Sequence, residues 1–159
     1  MDHWVAWVFF FRCTDLFGEC LSGDWVAHVL WALFDSDAFG AVGLPTVAER
    51  HLLSASRFKV QLLRWYAKQR LEGRSDFSEL EDFRLEKIGT KDKPIWCGKA
   101  AECKTIIPFV LSVLRAHHRA LFRPVADALV AAGECLVSFA AVAATSPIQP
   151  SVTECQVPL

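Results

Sequence analysis

The sequence predicts an all-α protein: a single irregular bundle of about five or six helices over residues 1–144, followed by a tail at 145–159. Three observations carry that expectation. A capping signature at Thr46 opens a long stretch of helical spacing, and stretches from Lys99 and from Pro124 repeat apolar residues three and four apart. Apolar residues make up 53% of the 159 and charged residues 22%, enough to bury one core and too apolar for a disordered chain. Six tryptophans and twelve phenylalanines stand against one tyrosine, a mix that favours buried rings over the tyrosines of binding surfaces.

In chain order, Trp4–Phe11 is aromatic and β-branched without a clear period, so a short buried strand and the first turn of a buried helix fit it equally. This segment is expected to pack against the C-terminal helix pair. Leu16–Gly23 holds two glycines and reads as a turn. Asp24 stands where an N-cap belongs, ahead of Trp25–Phe34, which is apolar on every side and too short to cross a bilayer. Asp35, Ser36, Asp37, Gly40 and Gly43 end that run.

Thr46-Val47-Ala48-Glu49 is a capping box, and Pro45 before it suits an extended entry. Leu52, Ala55, Phe58, Leu62, Trp65 and Tyr66 follow as one stripe, and Gly73 suits the position just past the end, giving about seven turns. A shorter helix is predicted from Ser75 or Ser78, with Leu80 and Phe83 inward and acids in its first turn. Gly89–Gly98 is a loop with Lys91, Lys93 and Pro94. From Lys99 a helix resumes through Ala100, Cys103, Ile107, Val110 and Leu114, with a kink or fresh start at Pro108. Pro124 opens the last helix, with Val125, Leu129, Ala132, Leu136, Phe139 and Ala143 on one seam.

Charge is concentrated in the middle of the chain. Between Val47 and Arg74 seven basic residues oppose Glu49 and Glu72, a net of +5, and between Ser75 and Glu86 five acids oppose Arg84, a net of −4. The whole chain is at −1, which leaves no global field to steer a charged partner. The basic helix 47–74 offers Arg57, Lys59, Arg64, Lys68 and Arg70 to a nucleic acid or an acidic protein surface, with Trp65 and Tyr66 as rings that unpaired bases would stack on. The competing reading puts both rings in the core and neutralises the cations with the acidic stretch that follows.

Other constellations are thinner. Asp24 and His28, four apart, share a helix face as an acid/base pair or half a metal site would, but no third group follows at a telling distance. His117 and His118 point about 100° apart on a helix and cannot chelate one ion together. The six cysteines lack zinc-knuckle spacing, with gaps of six residues between Cys13 and Cys20 and five between Cys97 and Cys103. A metal site would need His3, His28, Cys13 and Cys20 to meet in space. No catalytic residue, cofactor or metal is therefore expected. Met1-Asp2-His3 lacks the basic start of a secretory signal, so an intracellular protein with reduced thiols is expected. Residues 125–144 are long enough to cross a bilayer, yet they carry Asp127 and Glu134 and are rich in alanine, which disfavours insertion.

Two segments carry a resemblance. Lys99-Ala100-Ala101-Glu102-Cys103-Lys104, followed by Ile106-Ile107-Pro108-Phe109-Val110, resembles the Lys-Ala-Ala-Glu-(Cys/Thr)-Arg segment of large, multi-copy protein families in dinoflagellate genomes. Those families are similar in turn to transposase-derived proteins of mobile elements. Upstream they carry an Asp-Trp-Met-His-type motif, and Gly23-Asp24-Trp25-Val26-Ala27-His28 is similar, with one extra residue between Trp25 and His28. A transposase of the three-carboxylate type holds two metal ions with acids spread over a much longer chain. The resemblance, spanning residues 20 to 118, therefore implies a catalytically inactive remnant or fragment. The apolar start and prolyl end suit a shortened chain. The alternative is a helical interaction module using the 47–74 face.

Overall fold

The computed structural model describes residues 20–41, 43–74 and 77–145. Among them are four α-helices: α1 (Cys20–Asp35), α2 (Val47–Leu71), α3 (Ala100–Ala116) and α4 (Arg123–Thr145). Single 3₁₀ turns at Leu85–Ile88 and His118–Ala120 complete the helical content, and the extended backbone forms one isolated bridge, Gly89 with Pro94. The protein is all-α, and the described residues hold four of the five or six helices that the sequence predicts for residues 1–144. The segment Trp4–Phe11, its strand alternative and its packing, together with residues 146–159 of the tail, lie outside the described residues.

α1 is the centre of the bundle because nearly every side of it is apolar. Trp25, Val26, Ala27, Val29, Leu30, Leu33 and Phe34 are buried, and α2, α3, α4 and the 85–88 turn all pack around them. Each indole on this helix spends its N–H on a neighbour's carbonyl: Trp25 Nε1 donates to Leu129 O of α4 at 2.9 Å and Trp31 Nε1 to Ile88 O at 3.1 Å. Two expectations fail here. Asp24 lies inside α1 and caps nothing, and Gly23 is a buried helical residue rather than part of a turn. That glycine is needed for close approach, since a Cβ on it would stand 2.6 Å from Trp96 Cβ.

The capping box of α2 forms as predicted: Glu49 N donates to Thr46 Oγ1, and Thr46 N donates to Glu49 Oε2, each at 3.2 Å. At the other end Gly73 takes φ 81°, Gly73 N donates to Arg70 O and Arg74 N to Gln69 O, both at 3.0 Å. That pair of bonds is the Schellman closure. Ala55, Phe58, Leu62 and Tyr66 are buried as the stripe requires, whereas Leu52 is 58% exposed.

The helix predicted from Ser75 or Ser78 does not form. Residues 78–84 form no regular element and lie back along α2, where Tyr66 Oη accepts the Leu80 amide at 3.0 Å and holds it out of a helical ladder. Leu80 and Phe83 do point inward, Phe83 against Phe58 with ring centroids 4.8 Å apart. The 89–98 loop is tied back on itself, with Ile95 N donating to Ile88 O at 3.2 Å and Cys97 N to Lys87 O at 2.7 Å.

α3 starts where Glu102 accepts the Lys99 amide at 3.0 Å, and it runs uninterrupted through Pro108, with no fresh start. Pro108 lies on the exposed side, away from the buried Cys103, Ile107, Val110 and Leu114. In α4 the seam is displaced from the predicted one. Ala126 and Gly133 are buried and Leu129, Val130, Leu136 and Val137 pack on the core, while Val125, Ala132 and Phe139 are exposed. The helix is apolar on more than one face, so its periodicity did not single out the face that packs. Gly133 selects it by admitting Trp25.

Candidate interaction surface

The five basic residues singled out on α2 do not act as one face. Arg57, Arg64 and Lys68, spaced seven and four apart, share one flank of the helix, and Lys59 and Arg70, eleven apart, share the other. The acidic segment lies along the second flank only. Asp82 meets Lys59 at 3.3 Å and Glu79 accepts both carboxylate bonds from the Arg70 guanidinium. The ammonium of Lys59, reinforced by Arg84, holds the Asp82 carboxyl below the usual carboxylate range.

On the first flank no acidic segment covers the cations among the described residues. Arg57 donates to the carbonyls of Phe39 and Gly40, so its charge is fixed in place without a carboxylate opposite it. Lys68 meets Glu72, one turn along its own helix, at 3.7 Å. Arg64 is exposed and has no ion pair among the described residues. Ser56, Arg57, Val60, Gln61 and Arg64 line a shallow, open groove there. The two rings do not join it. Tyr66 is 1% exposed with its hydroxyl bonded to Leu80, and Trp65 is half-buried against Phe109 at 5.6 Å. Base stacking on either ring is thus replaced by core packing.

The fold does bring the two resemblance segments together. The thiol of Cys103, on the first turn of α3, is hydrogen-bonded with the Ser22 side chain of α1 and lies within electrostatic reach of Asp24. Burial, with Asp24's charge adding to it, pushes the Cys103 thiol up to about 12, so it keeps its proton at neutral pH and is a poor nucleophile. Burial also raises the Asp24 carboxyl, against the opposing charge of His28. His28 is exposed, and its Nδ1 donates to the Asp24 main-chain carbonyl at 2.7 Å. His118 pairs with Asp127 at 2.7 Å rather than with His117. Among the described residues no three His, Cys, Asp or Glu side chains stand close enough to share a metal ion; His3 and Cys13 fall outside them. The Ser22–Cys103 contact has no signature in the sequence, since nothing local links residues 81 apart.

No protein-family model, curated protein or solved structure matches this chain.

Proposed function

We propose that the protein is a helical interaction module, descended from the mobile-element families its two motifs resemble, which works by binding rather than by catalysis. Its contact is the Arg57–Arg64–Lys68 flank of α2, laid on the phosphate backbone of a nucleic acid. One observation carries this reading: the acidic segment neutralises Lys59 and Arg70, and among the described residues no carboxylate segment covers the opposite flank. With Trp65 and Tyr66 packed inward, the contact is to backbone and carries no base readout. The buried, protonated Cys103 supports binding over chemistry.

A gel-shift titration over salt concentration tests it. Three cations on phosphates predict a log–log salt slope of about −2 on single strands. Arg57 also holds the Phe39 and Gly40 carbonyls, so the informative variant is Arg64→Ala with Lys68→Ala, which should flatten the slope. Glu79→Gln with Asp82→Asn, which frees Arg70 and Lys59, should tighten binding. Absence of binding at low salt removes the proposal.

A further inference from the structure

A second surface, on α4, is independent of the α2 reading. The stretch Arg123–Val142 has a mean hydropathy of 1.8, yet only 11% of it is buried. Outside the packed seam, Val125, Ala128, Ala132 and Cys135 follow at spacings of three and four and are all exposed. The acidic residues of the helix form a separate stripe that is already satisfied: Glu134 binds Arg115 at 2.5 Å, and Asp127 binds His118 at 2.7 Å. α4 therefore has three faces: one packed, one polar and paired, and one on which Val125, Ala128, Ala132 and Cys135 are exposed.

The corner that leads into this helix has a distinct composition. Phe122 is 73% exposed and stands between Arg119 and Arg123, both exposed. Arg119 has no ion pair among the described residues, and Arg123 touches Asp127 only at 3.9 Å, already the partner of His118. An exposed aromatic ring flanked in sequence by two cations, one residue before a helix with exposed apolar residues, matches one environment in two ways at once. Apolar groups enter the acyl boundary of a lipid bilayer, and guanidinium groups meet its anionic phosphates. A second copy of the chain would explain the apolar face but would supply no anionic partner for the two cations beside it. A spanning helix is opposed by α4's own anchors, because Trp25 seats on Gly133 and bonds Leu129 O, and both acids are tied to the body.

We propose that α4 and the Phe122 corner dock on the surface of an anionic lipid bilayer. The helix lies in the membrane plane, with Phe122 below the headgroups and Arg119 and Arg123 on lipid phosphates.

Co-sedimentation of the full-length protein with vesicles tests this. It should pellet with phosphatidylcholine vesicles containing phosphatidylserine, far less with phosphatidylcholine alone, and less at high salt. Phe122→Asp should weaken binding by about tenfold or more, and Arg119→Glu with Arg123→Glu by a similar factor. Both changes lie on exposed positions, and circular dichroism confirms that the fold is kept. Arg64→Ala should leave vesicle binding unchanged, which separates this proposal from the one on α2. Failure to pellet with anionic vesicles, or equal pelleting of Phe122→Asp, overturns it. So does release by detergent alone, the mark of a spanning helix. A dimer in light scattering that Ala132→Glu dissociates also overturns it, by assigning the face to a second copy.

Discussion

Gly133→Ala is a sharp test of how α4 is held. In an isolated helix the change stabilises by about 0.8–1.0 kcal/mol, because glycine is the poorer helix former. In this fold a Cβ at 133 would press well inside van der Waals contact with Trp25 Cζ2 and stand 3.0 Å from Leu111 Cδ1. Neither neighbour can yield cheaply. Trp25 is 4% exposed with its indole N–H fixed to Leu129 O, and Leu111 is also buried. Overpacking of this kind costs about 1–3 kcal/mol, so the steric term outweighs the propensity and the variant should lose about 1–2 kcal/mol. Urea unfolding followed by fluorescence reads this as a lower midpoint at unchanged slope. In a Trp25→Phe background, where the clashing ring edge is gone, Gly133→Ala should be neutral or stabilising, a coupling of about 1–2 kcal/mol. A Gly133→Ala protein as stable as the parent would refute the close seating of α4 on α1.

Three further outcomes are expected. Tyr66→Phe leaves the buried Leu80 amide without its acceptor and should cost about 1–3 kcal/mol in urea unfolding. Burial raises the Tyr66 pKa above its ordinary value of 10.0, so the stability held by the protonated phenol is intact below pH 10 and is lost as pH rises beyond it. As the chain has one tyrosine, tyrosinate absorbance follows this group alone, and titration in the native protein at the ordinary value would contradict its burial. Thiol labelling of the native protein at neutral pH should modify Cys97 and Cys135, both exposed, and spare Cys103 until denaturant is added, as read by peptide mass. Thr46→Ala should cost about 0.5–2 kcal/mol through loss of the α2 cap, and Thr46→Ser should restore most of it.

What the residue order reveals here depends on whether the physics is local. Thr46, Glu49 and Gly73 bound α2 correctly because a cap is settled by atoms within a few residues of one another. The stretch after Ser75 had helical acids and spacing, but a hydroxyl from Tyr66, fourteen residues earlier, took the Leu80 amide and held it out of a helical ladder. Asp24 looked like a cap because two glycines precede it in Leu16–Gly23; Gly23 is there to let Trp96 approach, a constraint visible only once the chain is folded. The α4 seam was ambiguous for a different reason. With apolar residues on two faces, only the fit of Trp25 into Gly133 decides which one turns inward. The candidate surface was half legible: the five cations were evident, whereas their division into a covered and an open flank follows from the path of residues 78–84.

The indole bond from Trp25 to Leu129 joins residues 104 apart. During synthesis, α1 therefore emerges with its most apolar side chains long before the last of its partners exists. At about 5–20 residues per second, that interval lasts roughly 5–20 seconds. For all of it α1 is a nascent segment whose full burial awaits α4. A message cut short before the Leu129 codon would release a chain in which α4 never covers Trp25.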